Sequence, residues 1–318
     1  MKCYQILKRN SNVLTFSKIC YKLHLNLIGR LISKKRVFST FNLLNETAHN
    51  FLYNNYDFSN LTQIASQTSP IFVMWLQGGT EVMPETVKKC YESIIQNCPT
   101  HPVKLITEEN LSNYIDLAPV ILQKYNEKKI SRAFFSDIVR SALLYKYGGS
   151  WIDATVFLSQ KLPDEYFNKD FFSPCGFNGI KKRDWKYFFL ESNGWSAWFM
   201  GTNKINYPLF DFLTKFYEYY FQENDSILDY FQNDFSISLF YQKNKTFNEY
   251  LNNQQANNIR AYELADLMNK DLESNSDKIK ELLNDNIIHK LTYKRDWTTE
   301  KNNKKTVYSA FLNDFADL

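Results

Sequence analysis

An acidic and a basic side chain on one predicted helix are the first candidates for chemistry in this sequence. Residues 135–147 place apolar side chains at helical spacing and contain neither glycine nor proline. Asp137 and Arg140 lie three residues apart in that run, so their side chains share one face of the helix. Gly148 and Gly149 then end the helix, because glycine readily takes the positive φ of a C-terminal cap. The tight turn brings the residues that follow close to this pair.

Asp153 is the third candidate, since it lies near the middle of an apolar run, residues 151–158, that is typical of a buried strand. A carboxylate there is costly to bury unless a metal ion, a hydrogen-bond donor or a cation compensates it. We therefore predict a site made by Asp137, Arg140 and Asp153. The alternative is a structural salt bridge in an ordinary helix–turn–strand unit. We favour a functional site because buried charge marks function more often than stability.

Alternating strands and helices surround these residues and predict an α/β fold. Strand patterns occupy residues 71–75 and 101–106, and helix patterns occupy residues 84–97 and 111–129. Such alternation is typical of a parallel sheet. The sequence contains no GxGxxG or GK[ST] loop, which disfavours both a dinucleotide-binding fold and a P-loop kinase.

Three short motifs resemble the core of the sugar-nucleotide glycosyltransferases of family 32, and most closely their capsular polysaccharide synthesis branch. They are Ser-Asp-Ile-x-Arg at residues 136–140, Tyr-Gly-Gly at residues 147–149 and Trp-Ile-Asp-Ala-Thr at residues 151–155. The resemblance extends weakly over residues 71–294 and is specific mainly in these motifs.

The resemblance implies a GT-A-like α/β domain over residues 70–318, with a single mixed, mostly parallel sheet flanked by helices. A basic amphipathic helical region, residues 1–69, would precede it, with residues 46–69 as a helical or irregular connection. The implied activity is a retaining, metal-assisted transfer of a hexose from a nucleotide sugar, with a UDP-sugar as the expected donor. The acceptor would be a hydroxyl of a glycan or lipid-linked glycan in capsular or cell-surface polysaccharide synthesis.

The same resemblance assigns roles to the three central residues. Asp137 and Arg140 match positions that hydrogen-bond hydroxyls of the donor sugar, a task that suits their directional acceptors and donors. Asp153 matches the first aspartate of the DXD motif, which touches the ribose and supports the metal. Thr155 stands where that motif has its second acid. This departure leaves the metal with one carboxylate fewer.

A late motif is expected to complete the metal and diphosphate site. His-Lys-Leu-x-Tyr-Lys begins at His289 and resembles a signature near the end of the capsular group. We predict that His289 joins Asp153 and Thr155 on Mn²⁺ or Mg²⁺, and that Lys290 and Lys294 neutralise the diphosphate. The alternative for a lone histidine is a structural role.

The nucleotide is expected at the carboxyl ends of the strands, where open α/β sheets bind ligands. The resemblance places Trp75, at the end of the first strand, against the base, and an indole can stack there. Gly78 would let the backbone approach the donor, and Gly149 is assigned to the same pocket. The alternative for Trp75 is a core position.

Asp229 and Asp234 are candidates for orienting the acceptor hydroxyl, because residues 229–234 resemble an acidic motif on the acceptor side. The alternative for each is a helix N-cap or a surface carboxylate. We nominate no general base, since front-face retention lets the departing phosphate oxygen take the acceptor proton.

Charge is concentrated at the N-terminus. Residues 1–45 contain nine Lys/Arg and no Asp/Glu, whereas the remainder holds 29 basic and 34 acidic residues. Interleaved apolar residues predict peripheral attachment to an anionic membrane, with packing against the catalytic body as the alternative. No apolar run reaches the length of a spanning helix and no secretory signal is recognised. We therefore expect a cytoplasmic protein that can attach to the inner face of the plasma membrane. We expect no nucleic-acid partner.

Two other function classes stay open on the sequence. One is a toxin-like or effector glycosyltransferase that modifies a protein hydroxyl, since such enzymes share the Ser-Asp-Ile-x-Arg helix. The other is a non-catalytic module that binds a sugar nucleotide, which the threonine in the metal motif makes conceivable. Five cysteines show neither metal-binding spacing nor an even disulfide framework and suggest a reducing compartment.

Overall fold

The computed structural model describes residues 2–55, 63–65, 69–176, 194–316 and 318. Its helices are α1 (Lys2–Lys22), α2 (Asn26–Asn55), α3 (Glu85–Asn97), α4 (Pro119–Asn126), α5 (Arg132–Tyr147), α6 (Pro208–Glu223), α7 (Gln232–Lys243), α8 (Lys245–Asn253), α9 (Glu263–Leu267), α10 (Ser276–Asp285) and α11 (Val307–Leu312). Its strands are β1 (Gln63–Ile64), β2 (Ile71–Met74), β3 (Val103–Ile106), β4 (Gly149–Ile152), β5 (Val156–Leu158), β6 (Phe199–Thr202), β7 (Lys204–Ile205), β8 (Ile288–Lys290), β9 (Glu300–Lys301) and β10 (Lys304–Lys305).

Four strands form the central sheet, in the order β3-β2-β4-β6. β2 is parallel to β3 and β4, and β6 is antiparallel to β4. The strands β2, β4 and β6 are almost wholly buried and apolar, because both faces of the sheet are covered. Alternate side chains enter two cores: Phe72 and Trp151 lie in one, whereas Ile71 and Ile152 lie in the other.

The mixed α/β class predicted from the sequence is confirmed, but the single sheet is not. The described strands divide into the central sheet and three two-stranded antiparallel pairs, which are β1 with β7, β5 with β8, and β9 with β10. The prediction of one strand over residues 151–158 was wrong. β4 ends at Ile152 and β5 begins at Val156, because β4 pairs within the central sheet while β5 leaves it to pair with β8.

Helix α5 and the turn after it have the form that the sequence predicts. The hydroxyl of Ser131 caps the start of α5 by accepting a hydrogen bond from the Phe134 N–H at 3.2 Å. Gly148 ends the helix with φ of 64°. At Gly149 an added Cβ would lie 2.2 Å from the Pro70 carbonyl oxygen, so only glycine lets β4 approach the chain entering β2 this closely.

The N-terminal helices form a hairpin that packs against the body. Ser17 of α1 hydrogen-bonds the Ser33 hydroxyl of α2 at 2.6 Å, a contact that small side chains permit. Phe51 of α2 packs against Phe212 and Phe216 of α6, with ring centroids 6.0 and 5.7 Å away. The part of the hairpin that includes Phe51 therefore packs against the body, as the alternative to membrane attachment predicts. Of the expected connection, residues 56–62 and 66–68 lie outside the described residues, and the domain division at residue 69 stays a prediction.

Candidate functional site

The site is built around the turn between β4 and β5. The Asp153 N–H donates to the Trp198 carbonyl, and the Asp153 carbonyl accepts from the Val156 N–H, each at 2.9 Å. Asp153 therefore lies at the carboxyl end of β4, where ligands bind in open α/β sheets. Its side chain is 28% exposed. One carboxylate oxygen accepts from the indole of Trp151, at 2.8 Å, and the other accepts from the ammonium of Lys290, at 2.7 Å.

Arg140 joins the helix to this turn. Its Nη1 donates to Asp137 Oδ1 at 2.8 Å, and its Nη2 lies 3.7 Å from Asp153 Oδ1. The guanidinium carbon lies over the Trp151 ring, 5.1 Å from its centroid, within reach of a cation–π interaction. The structure thus brings together the three residues selected from the sequence. Trp151, which holds both Arg140 and Asp153, was not selected.

Burial and neighbouring charge push the two carboxyl groups in opposite directions. Burial raises the pKa of Asp137 to about 6; the Arg140 guanidinium opposes this, and the charge of Asp153 adds to it. Burial also acts to raise the pKa of Asp153, but Lys290 and Arg140 outweigh it and hold that pKa below its ordinary value. The site thus contains one carboxylate that is firmly ionised and one that can hold a proton near pH 6.

Asp234 extends the cluster from the first turn of α7. Its carboxylate accepts a hydrogen bond from the indole of Trp195 at 3.1 Å. Burial, and after it the charge of Asp137, raises the pKa of Asp234 to about 7. Tyr230 stands beside this group and is 60% exposed. Partial desolvation of its hydroxyl against the protein, followed by the charges of the neighbouring aspartates, raises the pKa of Tyr230.

Asp229, the other acceptor-side candidate, is held on the hairpin side of α7. It is 1% exposed, and its Oδ2 accepts from Nη1 of Arg36 in α2 at 2.5 Å. Its Oδ1 accepts from the Phe231 N–H at 3.0 Å. The structure therefore brings Asp234 to the cluster and uses Asp229 to attach the hairpin, while both acceptor roles stay predictions.

The late motif divides between the two faces of β8. The Lys290 ammonium reaches the Thr155 hydroxyl at 2.7 Å as well as Asp153. His289 is 0% exposed and points the other way, with its Nε2 3.3 Å from the Ser159 hydroxyl. Burial lowers the pKa of His289 to about 3, so it is neutral at physiological pH. Adjacent residues of a strand face opposite sides, so only one of the pair can reach the turn.

The structure therefore does not bring all three predicted metal ligands together, because His289 lies apart from Asp153 and Thr155. In the part of the chain that the structure describes, no group of three or more His, Cys, Asp or Glu side chains could hold a metal ion. At the turn itself Asp153 supplies one carboxylate and Thr155 one hydroxyl, and both already bind an ammonium. Mg²⁺ and Mn²⁺ favour carboxylate and other oxygen ligands, so these two side chains alone would hold either ion weakly and would need oxygens of a bound diphosphate to complete its coordination.

The predicted nucleotide end of the site is lined by aromatic rings. Trp75 follows β2 and is only 7% exposed; its indole N–H finds no hydrogen-bond partner within the described chain. Tyr293 meets it edge to face, with centroids 5.4 Å apart, and is 39% exposed. Lys294 is exposed beside Tyr293, and Gly78 has φ of 127°. Tyr293 thus offers the more accessible ring, although Trp75 was the residue selected.

Aromatic residues are what sequence reasoning missed at this site. Trp195 binds Asp234, and Trp198 lies with its ring 5.8 Å from the Lys290 ammonium. The Trp198 indole donates to the Tyr262 hydroxyl at 2.9 Å. Two tryptophans three residues apart are visible in the sequence, but neither was selected as a site residue.

Comparison with known proteins identifies a family for most of this chain. Residues 26–311 match the family described as "Capsular polysaccharide synthesis protein". A comparison with the sequences of curated proteins gave no match.

Two solved structures show a distant likeness. One is titled "PaToxG Glycosyltransferase", with 14% sequence identity, 71% of this chain and 83% of that chain covered, and a TM-score of 0.39. The other is the structure of a transferase mutant in which two cysteines are replaced by serine, with 12% identity, 64% and 94% covered, and a TM-score of 0.32. Likenesses this remote carry no argument about the site.

Proposed function

Since the chain belongs to the capsular polysaccharide synthesis protein family, we propose that it transfers a hexose from a nucleotide sugar to a hydroxyl of a growing glycan. The membership confirms the predicted family and the predicted enzyme class, a glycosyltransferase. The proposal takes a UDP-sugar as donor, a capsular or cell-surface glycan or its lipid-linked precursor as acceptor, and a GT-A-like arrangement of the central sheet.

The observation that carries the proposal is the contact network of Asp137, Arg140 and Asp153 at the carboxyl end of the central sheet. Arg140 fixes Asp137 on one side and faces Asp153 on the other, so the donor would meet a rigid set of polar groups. In the proposed complex Asp137 and Arg140 bind hydroxyls of the sugar, and Asp153 binds the ribose. Trp75, Tyr293, Gly78 and Lys294 would surround the base and diphosphate.

The acceptor side of the proposal rests on Asp234. It lies close enough to Asp137 for the two charges to interact, and Trp195 holds it in place. A carboxylate there can orient the attacking hydroxyl by accepting its hydrogen bond. Asp229 would act indirectly, because its bonds to Arg36 and to the Phe231 N–H position the start of α7, which carries Asp234.

The predicted Mn²⁺ or Mg²⁺ is left out of the proposed reaction. Asp153 and Thr155 do not fit a tightly held divalent ion, and His289 faces away from them. Retention is proposed to proceed on one face of the sugar. The bond from the anomeric carbon to the phosphate oxygen breaks as the acceptor oxygen bonds to that carbon, and the departing phosphate oxygen takes the acceptor proton.

The proposal also includes attachment to an anionic membrane through the hairpin tip, residues 16–35. Seven of its apolar side chains are 46 to 70% exposed: Phe16, Ile19, Leu23, Leu25, Leu27, Ile28 and Leu31. The tip also carries five basic residues and no acidic one. Apolar groups that enter the lipid boundary, ringed by cations that face anionic headgroups, are the features of an interfacial helix. Along the described chain, no helix is both long and apolar enough to cross a bilayer.

Donor hydrolysis tests the central proposal. Purified protein is incubated with UDP-, GDP- and CMP-sugars, and nucleotide release is compared for wild type, Asp153→Asn and the control Asp164→Asn. Asp164 has an exposed carboxylate outside the cleft. We expect one sugar nucleotide to be hydrolysed by wild type and by the control but not by Asp153→Asn. Folded protein that neither hydrolyses nor binds any of these donors in calorimetry would overturn the proposal.

A further inference from the structure

Lys290 occupies the position where the sequence predicts a metal ion. Its ammonium lies 2.7 Å from Asp153 Oδ2 and 2.7 Å from Thr155 Oγ1, the two turn residues that were assigned to the metal. A cation is therefore already present between those two ligands. It is part of the polypeptide chain.

The backbone on both sides of Lys290 holds this ammonium in place. Lys290 pairs with Val156 in the β5–β8 ladder, and its own N–H donates to the Ala261 carbonyl at 2.7 Å. The next residue, Leu291, donates to the carbonyl of Thr155 at 2.8 Å. The side chain is only 17% exposed and passes beside the ring of Trp198. This cation is therefore preorganised, and little ordering is needed when a ligand arrives.

The charges at the turn explain why a threonine suits position 155. Asp153 and Lys290 together are neutral, and the Thr155 hydroxyl holds the ammonium without adding a second negative charge. A second carboxylate would make the turn negative and would favour a divalent ion over a diphosphate. An ammonium has three donors, of which two are directed at Asp153 and Thr155 in the described structure. The third can reach a ligand.

We propose that the Lys290 ammonium is the resident cation that neutralises the departing diphosphate, so that the transfer needs no divalent metal. The inference rests on the proposed function. As the bond between the anomeric carbon and the β-phosphate oxygen breaks, its electron pair stays on the phosphate. The acceptor oxygen forms the new bond, and its proton goes to the departing phosphate oxygen. Lys290 keeps its protons throughout and stabilises the phosphate by charge and hydrogen bonding.

The test compares full-length variants after metal is removed with EDTA and again after Mn²⁺ is added. We expect wild type to release nucleotide at the same rate, within about twofold, in both conditions. Lys290→Met should lower kcat by about 10²–10³-fold, the usual cost of losing one preorganised donor to the developing charge. Lys278→Met, an exposed lysine on α10, is the matched control and should act as wild type. Circular dichroism checks that each variant is folded.

Thr155→Asp gives an independent test. It adds the missing carboxylate, so activity in EDTA should fall at least about tenfold and return when Mn²⁺ is added. Binding of UDP and GDP by calorimetry is the readout that does not depend on turnover. We expect wild type to bind one of them equally well with EDTA and with Mn²⁺.

Wild-type activity or nucleotide binding that disappears in EDTA and returns with Mn²⁺ would overturn the inference while leaving the proposed function intact. Unchanged activity in folded Lys290→Met would overturn it as well. If no donor is bound or hydrolysed in any condition, the proposed function fails, and this inference fails with it.

Discussion

Two regions of the molecule bury carboxylates beside cations, and they differ in how the charges balance. Where the hairpin meets the body, Asp229 forms an ion pair with Arg36, and both side chains are 1% exposed. In the cleft, among the residues that the structure describes, three aspartates (Asp137, Asp153 and Asp234) share two cations, Arg140 and Lys290. The Asp229–Arg36 pair attaches the hairpin to the body. The described part of the cleft has more carboxylates than cations, which leaves carboxylate oxygens free to accept hydrogen bonds from ligand hydroxyls.

The difference shows what unbalanced burial does to a carboxyl group. Asp137 and Asp234 gain less from cations than burial takes from their charged forms, so the pKa of each is raised, to about 6 and about 7. Groups of this kind are more frequent in functional sites than in structural ion pairs. The comparison therefore predicts that changes at the hairpin interface affect stability and that changes in the cleft affect activity.

Breaking the ion pair between Arg36 and Asp229 should have the largest effect on stability. Arg36→Met leaves the carboxylate of Asp229 buried without its cation, and we expect a loss of about 3–5 kcal/mol in the free energy of unfolding. Chemical denaturation measures this. In the double variant Arg36→Met/Asp229→Leu no charge is left behind, and most of the loss should be recovered. A double variant as unstable as the single one would show that the pair does more than balance charge.

Removing a carboxylate from the cleft should instead lower activity without lowering stability. Asp137→Asn keeps the side-chain shape but loses a charged acceptor for the donor sugar, and we expect kcat/KM to fall by about 10²–10³-fold, about 2.7–4 kcal/mol. The free energy of unfolding should stay the same or rise, because a costly buried charge is gone. A variant that loses stability in step with activity would contradict the distinction between the two regions.

The acid surplus should make stability depend on pH. The folded pKa of Asp234 is about 7 against an ordinary value of 3.8, so between these values the folded state holds more proton and stability falls as pH rises. Asp234→Asn removes this contribution. Its stability relative to wild type should therefore be higher at pH 7.5 than at pH 5, by up to about 1.4 kcal/mol for each pH unit of the window. Urea unfolding at both pH values measures this, with Asp164→Asn as control. The same stability difference between Asp234→Asn and wild type at both pH values would contradict this prediction.

The far end of the hairpin should give the smallest effect. Leu27 is 70% exposed at the tip, and Leu27→Ser should weaken binding to phosphatidylserine-containing vesicles by about tenfold, about 1.4 kcal/mol, without affecting donor hydrolysis. Ile259→Ser, at an exposed site on the body, is the matched control. Sedimentation with vesicles is the measurement. Equal binding by both variants, or no preference for anionic lipid, would contradict the membrane proposal.

Local patterns predicted well where short-range geometry decides the structure. Helix α5, its glycine ending and the Asp137–Arg140 bond all depend on residues within one or two helical turns of one another. The α/β class followed from the alternation of strands and helices for the same reason.

Patterns failed where a long-range partner decides. An apolar run can be read as one strand, but residues 151–158 divide because β4 and β5 pair with different strands. The late motif selected both His289 and Lys290, and only the pairing with β5 determines which of the two faces Asp153. Asp229 met the same difficulty, because its partner Arg36 lies 193 residues away.

The contact between Gly149 and Pro70 sets how much change the cleft can tolerate. A single methyl group at residue 149 would meet the Pro70 carbonyl oxygen at 2.2 Å, in a backbone conformation that side chains rarely adopt. Substitution would shift the strand that ends just before Asp153. The position of the central carboxylate thus depends on a hydrogen atom at the opposite end of the strand. Variation at residue 149 should therefore be as damaging to this enzyme as variation at the carboxylate itself.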